Sequence, residues 1–103
     1  MFPELLYHFE APLRMTRIGK TTWYLVSVPT EISAEIKDAI EAVNAPWGMI
    51  SIWATLGDVE WKTILFPKKG GVGYELAINA KLRKRFHLDD GDVLALALRV
   101  PIG

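Results

Sequence analysis

The stretch from Tyr24 to Ile36 lines up without a gap with the stretch from Tyr74 to Phe86, fifty positions later. Tyr24 matches Tyr74, Val28 matches Ile78, Ile32 matches Leu82 and Ile36 matches Phe86. Past the first helix, Gly48-Met49-Ile50 corresponds to Gly91-Asp92-Val93, now forty-three positions apart, because the first helix is the longer one. Such spacing is the mark of one supersecondary unit present twice. Each half reads as strand–strand–helix–strand, over approximately 7–56 and 59–100. One unit is too small to bury its own sheet face, whereas two in one chain close a barrel internally and leave few edges. The expected fold is therefore mainly β. It is a six-stranded double-split pseudo-barrel in a single domain over 1–103, monomeric, with a short helix against each end.

The local signals agree. Phe9, Ala11 and Leu13 alternate with His8 and Glu10 and predict a first strand. Pro12 argues for an edge position or a bulge near its end. Arg14 to Thr21 reads as a polar connection, and Trp23 to Val28 as a second strand with Tyr24, Val26 and Val28 on one face. Pro29-Thr30 opens a helix whose stripe is Ile32, Ile36, Ile40 and Val43, capped by either Thr30 or Ser33 and ended by Asn44-Ala45-Pro46. Met49 to Leu56 and Val59 to Phe66 form a hairpin around Gly57-Asp58, a turn of type II′ or I′. Its register puts Leu56 opposite Val59, Ala54 opposite Trp61, and Trp53 opposite Lys62. A fifth strand spans Tyr74 to Ile78. Asn79 then caps a second helix with Leu82 and Phe86 as its inward pair, and a sixth strand runs from Val93 to Val100.

Composition narrows the function classes. A chain of 103 residues that is 50% hydrophobic and 23% charged is globular and not disordered. Twelve basic and twelve acidic residues cancel, so general adhesion to nucleic acid or anionic membrane has no support from net charge. The absence of cysteine rules out disulfides, thiol catalysis and thiolate metal sites. The start carries no secretory pattern, and no apolar run approaches the ~18 residues of a membrane span. A cytoplasmic protein with no cofactor and no membrane partner is expected.

The stretch Ile78-Asn79-Ala80-Lys81-Leu82-Arg83-Lys84-Arg85-Phe86-His87-Leu88-Asp89-Asp90-Gly91-Asp92-Val93 resembles the strand–helix–GD–strand core of AbrB/MazE/SpoVT-like swapped-hairpin barrels. A longer resemblance rests on Trp23-Tyr24-Leu25-Val26-x-Val28-Pro29 and Ile32-Ser33-Ala34-Glu35-Ile36. It continues through Trp61-Lys62-Thr63-x-Leu65-Phe66-Pro67, Gly73-Tyr74-x-Leu76, Arg83-Lys84 and Gly91-Asp92-Val93. Over roughly Phe9 to Leu98 the chain is similar to a bacterial and archaeal domain-of-unknown-function family of small double-split barrels, AbrB/MazE-like relatives. Its members occur alone or fused to bacteriocin-protection (OmpD-associated-like) domains. Asn79 departs from the proline or valine-type residue that often opens the second helix. The resemblance implies the barrel and brings no activity with it.

Several patterns invite a chemical reading. Gly19-Lys20-Thr21-Thr22 looks like the end of a P-loop, but Arg14 stands where the leading glycine belongs and a strand follows instead of a helix. Lys68-Lys69-Gly70-Gly71-Val72-Gly73 could cradle an anion, or could be a solvated connection in which glycines only permit positive φ. The corresponding segment of the first half carries Arg14, Arg17 and Lys20, so two basic loops are expected to lie together. Lys81, Arg83, Lys84 and Arg85 add a basic helix. Five neutralised phosphates would give a log–log salt slope near roughly −4.5. Asp89-Asp90-Gly91-Asp92 lacks the alternating ligands of a calcium loop and reads as a turn leading into a strand. His8 and His87 have no partner at informative spacing. Trp61 belongs to the core and Trp47 plugs the barrel end. Trp23 and Trp53 face away from the main apolar stripes, either exposed or covered by a helix, with Trp53 and Lys62 placed for a cation–π pair. The chemistry suits a non-enzymatic binding module for a protein or small anionic ligand. Its tentative surface comprises Arg14, Arg17, Lys20, Trp23, Trp53, Lys62, Lys68, Lys69 and Arg83. The alternative is an AbrB-like DNA-binding transcriptional regulator.

Overall fold

A computed structural model describes residues 4–42, 48–68 and 73–102. Among these residues six strands and two helices follow in the order β1 (Glu4–Ile18), β2 (Thr21–Ser27), α1 (Thr30–Ala42), β3 (Ile50–Leu56), β4 (Val59–Pro67), β5 (Tyr74–Ala77), α2 (Ala80–Phe86) and β6 (Val93–Pro101). The strands close into an antiparallel barrel with ring order β1-β2-β5-β4-β3-β6. Exchanging β1 with β4, β2 with β5 and β3 with β6 leaves that ring unchanged.

The ladders follow the same exchange. Val26 faces Leu76 at the centre of β2–β5, and these residues are counterparts at the offset of fifty. In β3–β6, Trp53 faces Arg99 and Leu56 faces Leu96, pairs that the offset of forty-three converts into one another. The hairpin register is the expected one, with Leu56 opposite Val59, Ala54 opposite Trp61 and Trp53 opposite Lys62. Gly57 has φ +59 while Asp58 is not at positive φ, which is the signature of a II′ turn.

Alternation fills the barrel. Leu13, Val26, Ile52, Leu65, Leu76, Leu98 and Val100 are fully buried on its inner face. Each such side chain contributes about 1.5–3 kcal/mol relative to exposure. Ile36 and Ile40 of α1 join this core at one end, and Leu82 of α2 joins it with half-buried Phe86 packed against it. Trp61 is also half-buried against the core. Val43 and Trp47 lie outside the described residues. The helices stand at opposite ends of the β2–β5 ladder: α1 follows Val28, whose N–H bonds Tyr74 O, and α2 follows Ile78, whose N–H bonds Tyr24 O. Asn79 caps α2, its Oδ1 accepting from Leu82 N at 2.9 Å, and His87 at φ +53 ends it.

Three expectations change. Arg14 to Ile18 is not a polar connection but the continuation of β1, so the β1–β2 turn contracts to Gly19-Lys20. Gly19 at φ +63 plays the part that Gly57 plays in the other hairpin. Pro12 sits mid-strand, where β1 leaves β6 for β2 and a missing N–H does least harm. Ser33 is no cap: it is 3% exposed, and its hydroxyl is turned to Val28 O and Tyr74 N. Thr30 is already helical, and the first turn closes from Ser33 N to Pro29 O. Among the described residues no helix is long and apolar enough to cross a membrane.

Candidate binding surfaces

β2 pairs with β5 only from Leu25 onward, and β1 pairs with β6 only as far as Pro12. Residues Arg14 to Trp23 therefore form a two-stranded ribbon beyond the closed barrel, with Thr16 opposite Trp23 and Arg17 opposite Thr22. Arg14, Arg17 and Lys20 are exposed on it. So are Met15 at 53%, Ile18 at 59% and Trp23 at 38%. No acidic residue occurs between Ala11 and Thr30. Four of the residues singled out from the sequence thus share one projecting element. Ile18 and Met15 belong with them, and the Gly-Lys turn flanked by β-formers is the signal that would have revealed the ribbon.

The two basic loops do not lie together. The antiparallel β2–β5 ladder sends the β1–β2 turn off one end and the β4–β5 connection off the other. Lys68 consequently belongs to the α1 end, where its Cδ approaches Gly73. Lys69 lies outside the described residues. The ribbon has α2 as its neighbour instead, because α2 begins beside Tyr24. Lys81, Lys84 and Arg85 are exposed there, and Arg85 pairs with Asp58 at 2.7 Å. α1 carries Glu31, Glu35, Asp38 and Glu41, so the molecule is basic at one end and acidic at the other.

Arg83 is not an open cation. Its Nε donates to Ile78 O at 3.2 Å and its guanidinium carbon lies 3.7 Å from the Tyr24 ring centroid. Arg99, and not Lys62, covers Trp53, at 5.4 Å from the ring centroid. β3 lies between β4 and β6, so Lys62 and Arg99 stand opposite Trp53 on its two neighbouring strands, and Arg99 is fixed over the ring by Glu4 at 3.1 Å and Glu60 at 3.2 Å. Trp53 is half-buried as a result, and exposed Lys62 is left at its margin. Neither tryptophan lies under a helix stripe: Trp23 is open and Trp53 is covered by an arginine.

The acidic turn serves the barrel. Asp92 Oδ2 accepts from Asp89 N at 2.7 Å, Asp90 Oδ1 accepts from Met15 N at 2.7 Å, and Gly91 N bonds Leu13 O at 2.7 Å. It thereby secures the base of the ribbon. Among the described residues no group of histidines and carboxylates is arranged to hold a metal ion, and His8 and His87 are both exposed and distant in the chain from one another.

The family model described as "Domain of unknown function (DUF1905)" matches residues 9–98. The chain belongs to the DUF1905 family. That match runs from within β1 to within β6 and so takes in the whole ring of the DUF1905 barrel, ribbon and helices included. Among curated proteins none matches the chain.

The DUF1905 barrel also has a cleft at its acidic end, of about 550 Å³, between α1 and the start of β5. Thr30, Ser33, Lys37 and Glu41 line it from one edge of α1, and Gly73 and Tyr74 from the other side. Burial raises the Tyr74 hydroxyl above its ordinary pKa of 10.0, and the Glu41 carboxylate raises it further. Sequence reasoning missed this cleft because its residues become neighbours only through the β2–β5 pairing.

Proposed function

We propose that this protein is a non-enzymatic binding module whose β1–β2 ribbon, with α2 beside it, takes an extended acidic segment of a partner protein. One observation carries the reading. The ribbon is a projecting element with three cations, no acid, and an exposed indole. Along Thr21 to Trp23, β2 has no β5 residue opposite it, and such an edge can add an extended peptide through main-chain hydrogen bonds. Arg14, Arg17 and Lys20 would attract the segment's carboxylates, and Ile18 and Trp23 its apolar side chains. A continuous polyphosphate suits the site less well, because Asp89, Asp90 and Asp92 stand at the ribbon's base. The protein would act in the cytoplasm as a monomer, since the ring closes within one chain.

Kinship with AbrB/MazE-like barrels and origin by duplication belong to the same proposal. Both are supported by the two ladders that map onto themselves at offsets of fifty and forty-three. That kinship also suggests the rival reading, a DNA-binding regulator, which the same experiment separates. The probes are a labelled peptide of alternating glutamate and leucine and a random-sequence DNA duplex, each titrated at two salt concentrations. The peptide should bind, and the triple reversal Arg14→Glu, Arg17→Glu and Lys20→Glu should weaken it by about tenfold or more. Tighter binding of the duplex through the same three cations, with a slope near roughly −0.9 per phosphate, would replace this reading with the regulator. Binding of neither probe would sink both.

A further inference from the structure

α2 carries four cations, and they are not equivalent. Arg85 is paired with Asp58 at 2.7 Å. Lys81, Arg83 and Lys84 make no ion pair among the described residues. These three line one open depression over the helix, together with Ala80 and Leu88, and no carboxylate lines it among the described residues. Lys81 and Lys84 are three positions apart and so lie on one helix surface, while the short side chain of Ala80 leaves the space open.

Arg83 differs from the two lysines in being held in place. It is half-buried, its Nε donates to Ile78 O at 3.2 Å, and its guanidinium carbon stands 3.7 Å from the Tyr24 ring centroid. Its two terminal nitrogens make no hydrogen bond among the described residues. A planar fork already fixed by a carbonyl and an aromatic ring loses little further freedom when it takes up a ligand. The depression thus combines one fixed fork with two exposed, adjustable ammonium groups.

Three positive charges around one space are poorly matched by a single carboxylate. A phosphomonoester carries roughly −1.5 to −2 charges at neutral pH and three acceptor oxygens. Two oxygens suit the guanidinium fork, and the third is left for the ammonium groups. A phosphodiester brings only one charge, and Asp89 and Asp90 directly after Leu88 oppose a continuous phosphate track. We propose that the α2 depression binds a phosphomonoester dianion, gripped by Arg83 and neutralised by Lys81 and Lys84. Tyr24 follows Trp23 on β2, so this site stands at the foot of the ribbon and is distinct from the ribbon's own cations.

Calorimetric titration of the full chain with ethyl phosphate, diethyl phosphate and propionate tests the site. Ethyl phosphate should bind at one site per chain and more tightly than either monoanion by about tenfold or more. Its affinity should fall as pH is lowered from about 7.5 to about 5, because the second proton of the ligand returns near pH ~6. Arg83→Lys keeps the charge but removes the fork and should weaken binding by about tenfold. Lys81→Gln with Lys84→Gln, both at exposed positions, should weaken it as much and decides the matter if Arg83→Lys disturbs the fold. A peptide of glutamate and leucine bearing one phosphoserine distinguishes the sources. Binding tighter than ethyl phosphate by about tenfold or more assigns the phosphate to a partner segment, and equal binding assigns it to a free compound. Ethyl phosphate contains no peptide, so its titration stands or fails separately from the ribbon reading. No binding of ethyl phosphate, equal binding of propionate, or equal binding by the doubly substituted chain would overturn the proposal.

Discussion

The ring of Phe86 lies so close over Gly57 that a β-carbon on the glycine would stand 2.9 Å from its Cε1. The last residue of α2 thereby rests on the turn between β3 and β4, and Arg85 meets Asp58 beside it. Gly57 is thus required twice, for its φ of +59 and for the ring above it. Gly19 has a nearly equal φ of +63 with nothing near its missing β-carbon. Gly19→Ala should therefore cost about 1–2 kcal/mol from backbone strain alone, and Gly57→Ala about 1–3 kcal/mol more from the ring contact. Urea unfolding midpoints at constant slope would measure both. Equal losses would show that the Phe86 ring swings aside without penalty.

Ser33 joins three elements with one hydroxyl. Its Oγ donates to Val28 O at 3.3 Å and accepts from Tyr74 N at 3.1 Å, in a buried position. Ser33→Ala leaves the Tyr74 amide without that acceptor and should cost about 1–3 kcal/mol. Amide exchange at Tyr74 should accelerate by more than at Val26, which sits mid-ladder. Thr30→Ala, exposed on the same helix, should change stability by only about ±0.5 kcal/mol. If Ser33→Ala were as mild as Thr30→Ala, the bridge would contribute nothing.

Two tyrosines predict how the barrel responds to alkali. Burial raises the hydroxyls of Tyr74 and Tyr7 above the ordinary 10.0, with Glu41 and Glu35 respectively adding to the effect. Below pH 10 both folded and unfolded chains keep these protons, so the stabilisation is fully present. As pH rises the unfolded chain ionises first, and stability is lost through the folded pKa. Native protein should therefore lose stability more steeply above pH 10 than Tyr74→Phe, and the variant with Tyr7→Phe added should be flatter still. Parallel curves for all three chains, from denaturant midpoints at stepped alkaline pH, would contradict this.

Much of the ring was legible because it rests on periodicity and turn chemistry. The β3–β4 register follows from Gly57-Asp58, and the start of α2 from Asn79, since each depends on residues within a few positions. The β1–β2 ribbon was equally local, and Gly19-Lys20 carries the same turn chemistry. It was obscured by the polar residues from Arg14 to Thr21, which alternate without an apolar face because the ribbon leaves the barrel and has no core to face. Arg99 over Trp53 was not legible at all, for it depends on β3 and β6 becoming neighbours, and the two residues are forty-six positions apart.

Alone, then, the sequence determined most of the elements and the closed six-stranded ring. These follow from side-chain alternation, helical spacing and a constant offset, which are short-range or repeated signals. Only the tertiary structure decided where the charges go. The antiparallel ladder through Val26 and Leu76 drives the two basic segments to opposite ends, places the ribbon beside α2, and sets a cleft between α1 and the start of β5. Strand direction across a pairing is a long-range property, and no spacing within one half of the chain reveals it.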